Sequence, residues 1–299
     1  MKNLSVTAIG EILYDVYPDK KRLGGAPFNF IYHIWKILGK ANFVSSVGND
    51  ENGVEMLSHL NSTGFNTDNI YIDKKYRTGT VQVKLDEEGT PQFNISAECS
   101  YDYLTLNKTA KRLIEMETDL LYFGTLSARS EISRNTIQSL FWKPHLKYFC
   151  DLNLRHNFYS KELIENILQT CNVLKINQEE LDKLAQFFNL DQSDNSAVEQ
   201  LMNQFNIDLI GLTLGKEGAW LYTKNEKNYC KAEKFNVVDT LGAGDAYSAI
   251  LCLGYLHGLA IEKINKLATK FACEICTVTG ALPANDSFYI NYQNIFRKK

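Results

Sequence analysis

Two glycines and an acid stand directly ahead of an apolar run in Val238-Asp239-Thr240-Leu241-Gly242-Ala243-Gly244-Asp245, which continues as Ala246 to Leu256. A helix starting at Ala243 or Gly244 points unpaired backbone N–H groups at whatever lies in front of it. Such an end attracts anions, phosphate above all. Asp245 would then sit where a phosphoryl group is held, placed to take the proton of an acceptor. The bland alternative is that Asp245 is a cap and Gly-Ala-Gly a tight turn, since Asp is among the preferred capping residues. The rest of the chain decides between them.

The elements that must position this segment follow a βα rhythm. Val6 to Leu13 reads as a buried strand, followed by a loop from Pro18 to Gly25. Pro27 suits the first turn of a helix, in which Phe28, Ile31, Trp35 and Leu38 recur at helical spacing until Gly39 ends it. Phe43 to Val47 is a strand and Asn52 to Leu60 a helix with Gly64 just past it. Between Tyr71 and Ala97 the period changes. Thr80, Gln82 and Lys84 alternate with Val81, Val83 and Leu85, Asp86-Glu87-Glu88-Gly89 signals a turn, and Gln92 to Ile95 can return. A β-ribbon inserted at about 71–97 would cover a ligand cleft or pair with a partner's ribbon.

Alternation then resumes. Leu120 to Phe123, Tyr148 to Leu152, Val173 to Ile176 and Leu209 to Leu214 read as buried strands. Helices are expected over 131–141, 161–170, 178–187 and 196–205, a hairpin over 220–231, and two helices over 246–256 and 261–277. This order argues a mostly parallel, doubly wound sheet flanked by helices. In such sheets ligands bind beyond the carboxyl ends of the strands. There the chain places Glu11 and Asp15, then Asp151, Asn153 and Arg155, then Asn177 and Glu180, then Thr213 and Gly215. Any one of them could be a cap or an ion-pair partner; their shared placement argues for a site.

Composition narrows the class. The chain has 299 residues, 44% hydrophobic and 22% charged, with a net charge of −3. These values fit an ordinary globular protein and give no electrostatic argument for a nucleic-acid or membrane partner. No apolar run approaches the ~18 residues of a membrane span. Seven cysteines, odd in number and irregular in spacing, with no apolar leader ahead of them, lead us to expect free thiols in a reducing cytoplasm. Cys273 and Cys276 form a CxxC, but inside a helical pattern and without a second pair. No Walker GxxxxGK[ST] occurs, and Gly10-Glu11-Ile12-Leu13-Tyr14-Asp15 after the first strand is not a GxGxxG dinucleotide loop.

Residues 239–245 resemble the DTxGAGD signature of the ribokinase-like (PfkB) carbohydrate kinases at every defined position. Gly24-Gly25-Ala26-Pro27-Phe28-Asn29 is similar to the family's GGAPxN sugar loop, and Val47 to Gly53 to its VGxDxxG segment. Asn177-Gln178-Glu179-Glu180 fits NxxE, and Thr213 to Ala219 fits TLGxxGA. The resemblance runs from about Val6 to Gly280. It implies one ribokinase-like domain over 1–299 with a lid at about 71–97.

The resemblance also implies roles. Asp245 would be the catalytic base, and the N–H groups of Gly242, Ala243 and Gly244 the hole for the transferring phosphoryl group. Asp15, Gly25 and Asn29 would hold sugar hydroxyls, with Arg155 on substrate, on a phosphate or merely paired with an acid. Asn177, Thr213, Gly215 and Gly218 would line ATP, with Glu180 near Mg²⁺ and Asp239 near a monovalent cation such as K⁺. The lid implies a homodimer through paired ribbons. Gly79 to Val83 and Asp151 to Arg155 look most like the fructokinase branch, although Leu152 stands where that branch has Pro. Phosphorylation of D-fructose at its 6-hydroxyl is therefore expected. Ribokinase, 2-keto-3-deoxygluconate kinase and nucleoside kinase activities share the scaffold, and a non-catalytic sugar-binding relative is the remaining alternative.

Overall fold

The structure, a computed structural model, describes residues 4–85 and 91–297. In chain order the strands and helices open with β1 (Val6–Ile9), β2 (Leu13–Val16), β3 (Lys21–Gly24), α1 (Ala26–Leu38), β4 (Asn42–Gly48), α2 (Glu51–Thr63) and β5 (Ile70–Asp73). Next come β6 (Gly79–Leu85), β7 (Pro91–Ile95), α3 (Lys108–Glu117), β8 (Leu120–Gly124), α4 (Glu131–Gln138), β9 (Lys147–Asp151), α5 (Lys161–Thr170), β10 (Val173–Asn177) and α6 (Gln178–Phe188). The chain closes with α7 (Asp194–Phe205), β11 (Leu209–Thr213), β12 (Gly218–Thr223), β13 (Lys227–Lys231), α8 (Ala243–Leu256), α9 (Ile261–Ile275) and α10 (Ile290–Phe296).

Nine strands form one sheet in the order β13-β12-β11-β10-β9-β8-β1-β4-β5. Pairing is parallel from β11 to β5, and β12 and β13 join antiparallel at one edge. Along β8 the side chains alternate between two cores. Leu120 and Tyr122 pack with α1, α8 and α9, while Leu121 and Phe123 pack on the opposite face with α5, α6 and α7. Both faces are covered, which is why these strands read as unbroken apolar runs. Burying one such Leu or Phe side chain is worth roughly 1.5–3 kcal/mol, so the two layers hold the sheet rigidly.

Three expectations change. The run Val6 to Leu13 is two strands, because the chain turns sharply at Gly10 (φ 153°). A Cβ there would lie 2.4 Å from Ser127 Oγ and 2.6 Å from Pro27 Cγ, so the close passage requires glycine. β1 stays in the large sheet, whereas β2 crosses into a second sheet of order β3-β2-β6-β7. The expected loop Pro18 to Gly25 is accordingly half strand: β3 pairs antiparallel with β2, setting Asp15 opposite Arg22. The inserted ribbon is also shorter than 71–97. Ile70–Asp73 pairs with β4 at the edge of the large sheet, and the ribbon proper is β6 and β7, joined through β6 to β2. The sheet expected to act as a lid is thus four-stranded and includes the residues just ahead of the Gly24-Gly25 loop. The turn expected at 86–89 lies outside the described residues.

Helix α5 matches its expected bounds, and its N-cap Ser160 accepts the N–H of Leu163. Helix α3 was not anticipated. It buries only Ala110 and Ile114, too narrow a stripe to read, and Asn107 caps it by accepting from the Ala110 N–H. All seven cysteines are free. No helix among the described residues is long and apolar enough to cross a membrane.

Candidate active site

Side-chain bonds join the carboxyl ends of β9 and β10, the start of α8 and the second sheet: Lys175 to Asp151, Ser248 to Asp151, Asn29 to Asp245 and Arg22 to Asp239. Helix α8 begins at Ala243 with Gly242 as its N-cap, in the left-handed region at φ 78° and without a capping side chain. A Cβ on Gly242 would lie 2.3 Å from Ala281 Cβ, so only glycine lets this loop pass. The N–H groups of Gly242, Ala243 and Gly244 lie at this helix end; that of Ala243 reaches the Thr240 carbonyl oxygen at 3.3 Å. Asp245 belongs to this first turn, yet it is no cap; its Oδ2 accepts from Asn29 Nδ2 at 2.8 Å. Asn29 comes from α1, whose N-cap is Gly25 (φ 109°), where a Cβ would lie 2.6 Å from the Glu11 carbonyl oxygen. The Oδ1 of Asn29 is buried without a protein partner, an acceptor free for a ligand donor.

Burial and the nearby Asp151 charge push the Asp245 carboxyl up to about 7, against the Asn29 bond and the charges of Lys175 and Arg155. A carboxyl of that strength is suited to take a proton near neutral pH. Asp15, buried in β2, is pushed to about 6 by desolvation; Arg155 and Arg22 oppose the shift and Asp239 adds to it. Arg155 is exposed on the loop after β9, and its charge acts on both Asp15 and Asp245.

Asp239, ahead of the helix, accepts from Leu241 N at 3.0 Å through Oδ1 and from Gly280 N at 3.0 Å through Oδ2. Arg22 Nη1 also reaches Oδ2, at 2.8 Å. Burial would raise its pKa, but these hydrogen bonds and the Arg22 charge outweigh it and hold the group below the usual carboxylate range. Asp239 is therefore a fixed anion, the state a nearby cation needs.

On the other side of the cleft, Asn177 ends β10 and caps α6. Its Oδ1 accepts from Glu180 N at 2.9 Å, and Glu180 Oε2 accepts from Asn177 N at 2.9 Å. Glu180 Oε1 takes the Leu154 N–H, also at 2.9 Å. The NxxE spacing is thus a capping box that buries an acid at a strand end. Burial raises the Glu180 pKa, with the Lys175 charge opposing. Thr213 stands beside Asn177 in the β10–β11 register and donates to the Ile176 carbonyl oxygen at 3.2 Å. Gly215 (φ 56°) has open space where a Cβ would be, whereas Gly218 (φ 116°) is pressed against the Cys230 carbonyl oxygen. The first is open to a ligand; the second is required by its own hairpin.

Two contributors, Lys175 and Arg22, escaped the sequence reading. Lys175, in the middle of β10, is 7% exposed and its Nζ lies 3.1 Å from Asp151 Oδ1. Asp151 Oδ2 accepts from Ser248 Oγ at 2.8 Å, and a Cβ on Gly244 would lie 3.1 Å from the Lys175 Nζ. The ammonium thus sits directly under the start of α8. Burial opposes its charge, but Asp151, Glu180 and Asp245 together raise its pKa. A lysine inside an apolar strand run was the available signal. Glu11, which the sequence sets at a strand end with Asp15, is 1% exposed; burial pushes it up to about 7, and the Ser127 hydroxyl donates to it. Arg22 carried no signal, since its strand had been read as loop.

Chemically, the arrangement offers a carboxyl that titrates near neutral pH and a helix end with no capping side chain and a buried ammonium beneath it. Residues 5–287 match the model of the pfkB family carbohydrate kinases. The chain is 29% identical over 308 residues to the Arabidopsis thaliana protein Probable fructokinase-6, chloroplastic, covering 93% of this chain and 79% of that protein. It superposes with a TM-score of 0.78 at 25% identity on an uncharacterized sugar kinase of Pyrococcus horikoshii in complex with ATP, covering 92% and 93% of the two chains. A fructokinase double mutant of Vibrio cholerae, with fructose, ADP and potassium ion bound, gives a TM-score of 0.77 at 24% identity, covering 99% of this chain and 98% of that one.

Proposed function

This chain belongs to the pfkB family of carbohydrate kinases and is a phosphotransferase acting on a sugar hydroxyl; on that premise we propose that it transfers the γ-phosphoryl group of ATP to the 6-hydroxyl of D-fructose. The observation that carries the reading is Asp245, held by Asn29 at the uncapped start of α8. Its carboxylate takes the acceptor proton as the sugar oxygen bonds to the γ-phosphorus. The bond from that phosphorus to the β–γ bridging oxygen breaks, and ADP leaves. The transition state carries charge on the transferring phosphoryl oxygens, so prearranged donors do most of the work. One such donor is typically worth about 3–4 kcal/mol. The N–H groups of Gly242, Ala243 and Gly244 supply them, and Lys175 adds positive charge beneath.

Asp15, Gly25, Asn29 and Arg155 bind the sugar in this reading. Asn177, Thr213, Gly215 and Gly218 border ATP. Among the described residues no group of three or more His, Cys, Asp or Glu side chains is arranged to hold a metal. Both Glu180 oxygens already accept backbone N–H groups. These residues fit Mg²⁺ carried mainly by phosphates and water, with Glu180 reaching it through water; when bound it neutralises phosphate charge. A potassium ion would lie by the ionised Asp239. The lid sheet has β3 and β7 at its edges, and pairing between two lids would make a homodimer, for which light scattering should give twice the chain mass. Seven free thiols fit a reducing cytoplasm.

The deciding test is ADP release with ATP, Mg²⁺ and a panel of fructose, ribose, 2-keto-3-deoxygluconate and nucleosides. Fructose should give the highest kcat/KM. Turnover of another compound but not of fructose would sink the substrate assignment and keep the kinase.

A further inference from the structure

We infer that Arg22 is a positioning residue that ties the lid to the phosphoryl cradle through Asp239, so that the Asp15 carboxylate and the cradle are set as one unit. The inference rests on the sugar-kinase reading for its catalytic consequence and on geometry for the tie itself.

Arg22 lies on β3, the edge strand of the lid, opposite Asp15 of β2 in the hairpin register. Directly opposite residues share one face of a sheet, so Arg22 and Asp15 are turned to the same side. The Nη1 of Arg22 reaches Asp239 Oδ2 at 2.8 Å, across 217 positions of sequence. That same oxygen accepts the Gly280 N–H, and the other oxygen accepts the Leu241 N–H, adjacent to the Gly242 cap. A Cβ on Gly280 would lie 3.5 Å from the Arg22 Cδ, so the arginine stem runs along the Gly280 backbone. Tyr17 supports it from the lid side, its ring centroid 5.1 Å from the guanidinium carbon. Arg22 and Asp239 are 20% and 24% exposed, so the pair is screened less than a surface ion pair.

The lid already packs on the body of the molecule through Leu13, Val81 and Ile95 against Tyr101 and Leu126, and through Tyr14 and Leu23 toward α1; the Arg22–Asp239 pair adds a direct polar link from β3 to the cradle. The lid hangs from the large sheet through the β1–β2 turn and the entry to β6, whereas the cradle is fixed to α8 and to the end of α9, where Val238 N donates to the Cys276 carbonyl oxygen at 2.8 Å. The Asn29–Asp245 bond ties the α1 end of the Gly24-Gly25 loop to α8, and Arg22, bonded to Asp239 two residues ahead of Leu241, ties β3 to the segment that leads into α8. Asp15 also feels Arg155 from the loop after β9 and Asp239 from the cradle, and Tyr17 stands at the end of its own strand. Of these groups only Arg22 belongs to the lid and touches the cradle.

The experiment compares wild type with Arg22→Met and Arg22→Lys. Hydrogen exchange should rise in Arg22→Met over both 21–24 and 238–242 by about tenfold, the factor given by ~1.4 kcal/mol, while the large sheet keeps its protection. With the sugar the wild type turns over, kcat should fall about tenfold. The pH below which the sugar KM rises should move upward, because Asp15 loses a cation that favours its ionised form. Arg22→Lys, which keeps the charge, should recover the KM–pH profile and part of the turnover. Exchange rising in β3 alone, an unmoved kcat and KM–pH profile, or Arg22→Lys no better than Arg22→Met would each overturn the inference. A wild type that phosphorylates nothing would remove the kinase reading and leave the exchange result standing as the test of the tie.

Discussion

Asn29 and Asp245, 216 positions apart, are joined by a 2.8 Å hydrogen bond from the Asn29 amide to the Asp245 carboxylate. This bond fixes the proposed base relative to α1, the helix that begins at the Gly24-Gly25 loop, and engages only one of its two carboxylate oxygens. Asp245→Ala removes the base and keeps the cradle. It should lower kcat by about 10²–10⁴-fold, with sugar affinity by calorimetry and melting temperature close to wild type. A variant retaining most of its kcat would show that the base lies elsewhere.

The same pair sets a pH dependence. Burial and Asp151 place the Asp245 carboxyl near 7, and only its ionised form accepts a proton. kcat should therefore fall on the acid side of about pH 7, approaching tenfold per unit. The Asn29 bond favours the ionised form, so Asn29→Ala should move this limb to higher pH. A pH–rate profile flat between pH 5 and 8, or a limb moved downward by Asn29→Ala, would contradict the assignment.

Gly242 gives a test of the cradle that leaves every charge in place. Gly242→Ala must adopt φ near 78°, which costs an L residue roughly 1–2 kcal/mol, and its Cβ meets Ala281 Cβ at 2.3 Å. The loop has to shift, moving the donors off target. We expect kcat to fall about 10²–10³-fold, the range for loss of one such donor, with a modest loss in melting temperature. Unchanged kcat would mean that the helix start does not hold the transferring group.

The buried pair Lys175–Asp151 predicts a stability effect distinct from catalysis. Lys175→Met leaves Asp151, 1% exposed, without its cation. Stranding one partner of a buried pair costs about 3–5 kcal/mol, which urea denaturation should register as an earlier midpoint. Replacing both, as Lys175→Met with Asp151→Leu, should regain most of that stability without regaining turnover. A double variant that recovered activity would assign the pair to the scaffold alone.

Much of this was written in local sequence. The β10 strand and the α6 capping box of Asn177 and Glu180 each depend on residues within a few positions, so spacing and residue type sufficed. The cradle could be read because a glycine turn ahead of an apolar helix has the same physical consequence wherever it occurs. What the tertiary structure alone decided are the long-range pairings. Asp239 belongs with Arg22, Asp245 with Asn29 and Lys175 with Asp151, and each is brought together by sheet order and helix packing, which no local period encodes. The lid was half hidden for the same reason. β1 and β2 form one continuous apolar run, and only the close passage of Gly10 past Ser127 and Pro27 divides it between two sheets. The sequence by itself determined the chemistry available at the start of α8. The fold determined which carboxylate meets an asparagine amide at the start of α8 and which is bound to an arginine of the second sheet.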